Sequence, residues 1–190
     1  MQKIILASQS PRRKQLLEWA EVDFDIIVSE SDETYPGGLS FEETAIYIAR
    51  NKAIAVSKKS GQALPVLAAD TIVVCNGTIL GKPNDRDDAI KILKRLSGTT
   101  HQVITGVVIH VQKKEIAFAD VTTVEFHELT EAQIIFYVDK YKPYDKAGAY
   151  AIQEWIGVVG IKSINGDFYN VMGLPVSRVL QELKQLGSNN

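Results

Sequence analysis

The stretch Ile4-Ile5-Leu6-Ala7-Ser8-Gln9-Ser10-Pro11-Arg12-Arg13-Lys14 constrains this chain most. Its four apolar residues read as a buried strand that begins almost at the first residue. Two serines end the strand, and Pro11 opens a helix whose apolar face includes Leu16, Leu17 and Ala20. Ser10 suits the N-cap, and Pro11 suits the first helical position, where its missing N–H would have no partner anyway. The charge does not suit the place. A helix start is the positive end of the macrodipole and favours acids, yet this one carries Arg12, Arg13 and Lys14. An anion would resolve the conflict, because two hydroxyls, unpaired helix-start N–H groups and two guanidiniums make a phosphate site. A solvated basic turn is the structural alternative.

Composition sets the frame for such a site. At 190 residues without low-complexity sequence, the chain is expected to form one globular domain over 1–190, with room for two lobes. Its content of 45% hydrophobic and 23% charged residues is that of a core-forming soluble protein. A net charge of −2 argues against a general nucleic-acid binder, so any anion site must be a local concentration of cations. The runs Val107-Val108-Ile109 and Ile134-Ile135-Phe136-Tyr137-Val138 are far too short to span a bilayer. The first residues lack a signal-peptide pattern. Cys75, the single cysteine, cannot form an internal disulfide and reads as a buried thiol. The expectation is a cytoplasmic protein with no membrane or nucleic-acid partner.

Taken in order, Phe24–Val28 reads as a second strand, and residues 29–40 as an acidic, glycine-containing loop. Ser40 and Glu43 have capping-box spacing and start a helix to about Ser57. Ala45, Ile48, Ala49 and Val56 share one face of it, with Lys52 in the middle. Val66–Cys75 reads as a buried strand, turned by Asn76-Gly77 into Thr78-Ile79-Leu80. Asp85 and Asp88 cap a helix that ends at Ser97 before Gly98. Two long strands, Gln102–Val111 and Glu115–Phe126, meet at Lys113-Lys114. Thr130 and Gln133 begin a capped helix to about Tyr141, and a loop runs from Lys142 to Glu154. Val158–Ile164 and Phe168–Met172 then read as a hairpin closed by Asn165-Gly166, and Pro175 opens a last helix that ends before Gly187. Mixing βα units with hairpins predicts a mixed α/β sheet flanked by helices.

Three residues are out of place in this pattern. Asp70 interrupts a buried strand, where a carboxylate is costly unless a cation or hydrogen bonds compensate it. It reads either as an aspartate at a strand bend or in a buried ion pair, or as a metal ligand or general base on a rigid element. Lys52 lies in an apolar stripe, from which a lysine commonly snorkels to solvent. Lys82 sits between Gly81, which permits close backbone approach, and Pro83, which keeps it extended. With the acidic loop residues Glu30, Asp32 and Glu33, these cations outline a site for a polyphosphate and a hard divalent ion. Mg²⁺ needs only one or two carboxylates when substrate phosphates and water complete its oxygen shell. No phosphate loop and no glycine-rich dinucleotide fingerprint is present. His101, His110 and His127 have no zinc spacing and read as surface or strand-edge residues. Ser8 and Ser10 have no triad partners at recognisable spacing.

Six motifs in order carry a resemblance to a known family. They are Ala7-Ser8-Gln9-Ser10-Pro11-Arg12-Arg13, Ala69-Asp70-Thr71, Leu80-Gly81-Lys82-Pro83, Thr105-Gly106-Val107, the run Asp145 to Gln153, and Asn165-Gly166 with Gly173-Leu174-Pro175. Together they resemble the Maf family from about residue 3 to residue 183. The resemblance implies an α/β fold like that of the inosine triphosphatases, with two lobes around a substrate cleft. It implies hydrolysis of a nucleoside triphosphate to the monophosphate and pyrophosphate with a divalent metal cation, Mg²⁺ or Mn²⁺. Arg12, Thr71 and Gln153 match the branch that acts on dTTP and UTP. Carried over, Asp70 would be the general base and, with Glu33, a metal ligand. Ser8, Arg13, Lys52 and Lys82 would hold the triphosphate, and Arg12, Thr71 and Gln153 would select the base. The resemblance also implies a homodimer. A nucleotide-binding regulator of septum formation that does not hydrolyse its ligand is the alternative.

Overall fold

A computed structural model describes residues 2–188 apart from 31–32, 62–63 and 113, and of residues 187–188 the backbone alone. Asp32 of the acidic loop and Lys113 of the expected turn lie outside the described residues. The elements in order are β1 (Ile4–Leu6), α1 (Pro11–Trp19), β2 (Phe24–Ile26), α2 (Phe41–Ser60), β3 (Val66–Cys75), β4 (Thr78–Leu80) and α3 (Arg86–Leu96). There follow β5 (Thr100–Val111), β6 (Lys114–Phe126), α4 (Glu131–Tyr141), α5 (Trp155–Gly160), β7 (Ile161–Asn165), α6 (Phe168–Met172) and α7 (Val176–Ser188). The sheet is mixed: β1 pairs in parallel with β2 and β3, while β4 and β7 are antiparallel to β3 and β6.

The chain divides into two compact units, Met1–Asp70 with Thr105–Asp120 and Gly173–Asn190, and Thr71–Ile104 with Val121–Met172. In the first unit the strand order is β2-β1-β3-β5-β6. Its core joins Ile5, Val66, Ala68 and Val108 of the strands, and Ala7 just after β1, to Ala49, Ala53 and Val56 of α2. The α2 start is the expected capping box: Ser40 Oγ accepts from the Glu43 N–H, and the Glu43 carboxylate accepts from the Ser40 N–H at 2.8 Å. Where α2 passes over β5 the strand carries Gly106. A Cβ there would stand 2.3 Å from the backbone of Ala45 and Ile46, far inside van der Waals contact.

In the second unit Asn76 (φ 50°) and Gly77 (φ 69°) form the tight turn between β3 and β4, both with the positive φ that a primed hairpin turn demands. The α3 and α4 helices pack together, and Arg86 grips Asp139 through two hydrogen bonds of 2.6 and 3.0 Å. Cys75 is buried, as its apolar surroundings predict.

Two expectations fail here. The hairpin of Val158–Ile164 with Phe168–Met172 does not form: residues 155–160 and 168–172 are helical, and β7 pairs with β6 instead. Asp167 overrides the Asn-Gly signal, because its carboxylate accepts from the Tyr169 N–H at 2.8 Å and so caps α6. Its carbonyl meanwhile accepts from the Thr122 hydroxyl at 2.9 Å, and Asn170 Nδ2 donates to the Val103 carbonyl and to Thr122.

His101 is the second correction. It is buried (2% exposed), edge-on to Phe126 and Tyr150, with Nε2 2.7 Å from the Tyr150 hydroxyl. Nδ1 is buried without a hydrogen-bond partner. Desolvation pulls the imidazole from its ordinary 6.5 down to about 4. The neutral ring therefore stabilises the fold fully above pH 6.5, and that stability is lost as pH falls towards 4, because only the unfolded chain takes up the proton. Urea midpoints should correspond to about 2 kcal/mol less stability at pH 5 than at pH 7.5 from this group. His101→Gln should flatten that part of the profile; an unchanged slope would show that His101 titrates freely in the native state.

Candidate functional site

The basic helix start is built as its sequence requires. Ser10 caps α1 by accepting from the Arg13 N–H at 3.4 Å, with Pro11 at the first position and no acid in the first turn. Arg13 turns inward and is buried, its Nε donating to the Gly173 carbonyl at 2.7 Å and its Nη1 to Ser8 Oγ at 3.2 Å. Ser8 Oγ also accepts from the Ser10 N–H at 3.2 Å. Both contacts use the hydroxyl oxygen, so its hydrogen points elsewhere, available to an acceptor. Burial lowers the Arg13 guanidinium from its ordinary value to about 10, with Asp70 and Glu33 opposing that shift and Arg12 adding to it. Arg13 is charged at neutral pH, fastened in place, and within the field of both acids.

Asp70 closes the first unit's part of β3, its side chain only 15% exposed. Its Oδ1 lies 2.7 Å from Lys52 Nζ. The ammonium also reaches Glu33 Oε1 at 2.8 Å, so Lys52 bridges both carboxylates. Lys52 does not snorkel: it stays on the apolar face of α2 and meets the acid of the neighbouring strand. The ion pair offered above as the structural explanation of Asp70 exists, and the residue that forms it is the other anomaly of the sequence. Two acids, a lysine, a buried arginine and a serine thus gather in one unit. Oxygens of Glu33 and Asp70 converge on the Lys52 ammonium beside a buried arginine, a donor set that could hold a hard divalent ion together with phosphate oxygens. Among the described residues no cluster of three or more His, Cys, Asp or Glu forms a cage that would hold such an ion unaided. Glu30 of the same loop is exposed.

Thr71, Lys82 and Gln153 belong to the second unit. Thr71 is half-buried on β3, Lys82 is exposed just after β4, and Gln153 is exposed before α5. The last two segments are linked, for the Gly148 N–H donates to the Gly81 carbonyl at 3.2 Å. Gly148 needs its lack of a side chain: its φ is 70°, and a Cβ would meet Val73 at 2.9 Å.

Sequence reasoning missed one cluster of this unit. Tyr137 is fully buried, and its hydroxyl donates to Glu154 Oε2. Lys146, also buried, lies 2.7 Å from Asp145 Oδ1 and 3.7 Å from Glu154 Oε1. The available signal was a lysine and an acid flanking the Ala147–Gln153 run, which only folding brings to Tyr137.

A mixed α/β sheet with cations and acids gathered about the middle of β3 and the start of α1 has the donor set that polyphosphate chemistry needs. The sequence profile of the Maf-like protein family matches residues 3–186, and the chain belongs to that family. The dTTP/UTP pyrophosphatase of Bacteroides fragilis (strain YCH46) is 50% identical over 185 residues, 97% of this chain and 96% of that protein. The dTTP/UTP pyrophosphatase of Parabacteroides distasonis is 48% identical over 183 residues, 96% of this chain and 95% of that protein. Among solved structures, the Ham1 protein of Staphylococcus aureus aligns with a TM-score of 0.49 at 18% identity, over 83% of this chain and 91% of that one. No described helix is long and apolar enough to cross a membrane.

Proposed function

We propose that this chain hydrolyses nucleoside triphosphates to the monophosphate and pyrophosphate, with dTTP and UTP as preferred substrates. The observation that carries the reading is the Asp70–Lys52–Glu33 bridge, in the same unit as the Arg13–Ser8 pair. Relatives about half identical along nearly their whole length bear the name dTTP/UTP pyrophosphatase. In this reading Ser8, Arg13, Lys52 and Lys82 hold the triphosphate, each a donor and three of them cations, which suits a chain of phosphate oxygens. Asp70 takes the proton of a water molecule whose oxygen attacks the α-phosphorus. The α–β anhydride bond breaks, and its electron pair leaves with pyrophosphate. As the phosphates enter, the Lys52 ammonium transfers its contacts from carboxylate to phosphate oxygens and uncovers the Asp70 lone pair.

Glu33 and Asp70 would hold Mg²⁺ or Mn²⁺, which supplies charge stabilisation for the departing pyrophosphate. Arg12, Thr71 and Gln153 select the base. The Gln153 amide offers a donor and an acceptor, the complement of the N–H and carbonyl that uracil and thymine present side by side. The same reading places the chain in the cytoplasm as a homodimer whose partner is the nucleotide itself.

A hydrolysis panel of UTP, dTTP, CTP, GTP and ITP with either metal tests the proposal. UTP and dTTP should exceed CTP in kcat/KM by about 10²-fold if the Gln153 amide is held in one orientation, since cytosine reverses donor and acceptor at that edge. Faster release of pyrophosphate from a purine triphosphate would overturn the base assignment. Tight binding without turnover of any nucleotide would leave a regulator instead of an enzyme.

A further inference from the structure

Gln153 is an exposed, flexible side chain, and on its own it would be a poor reader of a base. Its backbone is not left to chance. The Glu154 N–H donates to the Ala151 carbonyl at 3.1 Å, closing a four-residue turn with Ile152 and Gln153 at its centre. Ile152 is buried, Gln153 faces outward, and the two ends of the turn meet at one hydroxyl. Tyr137 Oη accepts from the Ala151 N–H at 3.2 Å and donates to Glu154 Oε2. The other oxygen of Glu154 faces Lys146 Nζ at 3.7 Å, so both sides of the carboxylate are engaged. The start of α5 presses on the same turn: the Gly157 N–H donates to the Glu154 carbonyl at 2.9 Å, and a Cβ at Gly157 would stand 1.7 Å from the Ile152 carbonyl oxygen.

We propose that Tyr137 and Glu154 are positioning residues for base selection, a part-buried clamp that fixes the backbone from which Gln153 meets the pyrimidine. The inference rests on the reading that Gln153 contacts the base. Discrimination between uracil and cytosine requires the Gln153 amide to keep one position and one orientation, so freedom in the backbone that carries it weakens the correct pairing and gives the amide room to rotate and pair with cytosine. Neither residue is among those that hold the phosphates or activate water in this reading. Loosening the clamp should therefore act on KM and on selectivity and spare the chemical step.

The experiment measures kcat and KM for UTP and CTP in Tyr137→Phe, Glu154→Ala, Glu154→Gln and Gln153→Ala. Tyr137→Phe removes only the hydroxyl. It should raise the KM for UTP about fivefold and lower the UTP/CTP ratio of kcat/KM about tenfold, while kcat for UTP stays within about threefold. Glu154→Ala should behave in the same way. Glu154→Gln should restore most of the ratio, because the amide oxygen still accepts from Tyr137. A ratio that stays at the wild-type value in Tyr137→Phe and Glu154→Ala, but collapses in Gln153→Ala, overturns the clamp and leaves the base assignment standing. An unchanged ratio in Gln153→Ala overturns both. An equal fall of kcat for both nucleotides in Tyr137→Phe would show a structural role alone. Should that variant fail to fold, the contrast between Glu154→Ala and Glu154→Gln decides, equal ratios in the two overturning the clamp.

Discussion

Asp70→Asn is expected to lower kcat for pyrophosphate release from UTP by about 10³-fold, the contribution usual for a positioned general base. The amide has nearly the volume of the carboxylate and can still accept from Lys52, so the packing around β3 should survive. What it loses is the capacity to take a proton from water at neutral pH. It also loses the charge that faces Lys52 at 2.7 Å and acts on Arg13. Thermal midpoints should move by a few degrees and, at saturating metal, nucleotide affinity should change little, so the defect falls on kcat. Steady-state release of pyrophosphate, with fluorescence binding of the same nucleotide, checks this. Full turnover in Asp70→Asn would remove it as the base and reduce the Lys52 contact to a structural ion pair.

Gly106→Ala should carry a large stability cost for the addition of a single methyl group. Its Cβ would fall 2.3 Å from the carbonyl carbon of Ala45 and the nitrogen of Ile46, and 2.5 Å from the Ala45 oxygen. All three atoms are helix backbone, which cannot rotate away as a side chain could, so α2 must lift from β5. A cost of about 4 kcal/mol or more follows, a large share of the 5–15 kcal/mol that holds a typical domain together. Because Lys52 rides on α2, the same displacement should pull its ammonium from Asp70, and activity should fall even in protein that remains folded. Gly37→Ala is the control: no atom lies within 4 Å of its added Cβ, and its effect should stay within about 0.5 kcal/mol. Urea denaturation of the two variants side by side reads the difference. A Gly106→Ala protein as stable as Gly37→Ala would mean that the helix and the strand separate at little cost.

The legible parts of this molecule are those governed by neighbours in sequence. Ser10 before Pro11, Ser40 with Glu43, and Thr130 with Gln133 announce helix starts, and each forms the expected cap. Asn76-Gly77 announces a turn for the same local reason. Asn165-Gly166 carries the same signal and misleads, because Thr122 and Val103, more than forty residues away in sequence, bond the Asp167 carbonyl and the Asn170 amide of a segment that turns helical. His101 misleads likewise. Nothing beside it in sequence says that Phe126 and Tyr150 will enclose it.

The sequence by itself determined the helix caps, the cation-rich helix start that calls for an anion, and the two charged residues that did not fit an apolar strand and an apolar helix face. Short-range physics suffices there: a missing N–H, a macrodipole or an uncompensated charge can be judged from a few consecutive residues. Only the tertiary structure decided that those two misfits neutralise each other, that Glu33 joins them, and that a tyrosine on α4 ties down the turn carrying Gln153. Such contacts join side chains far apart along the chain, and their existence depends on how the strands pair and how the helices pack, which no local window of residues specifies.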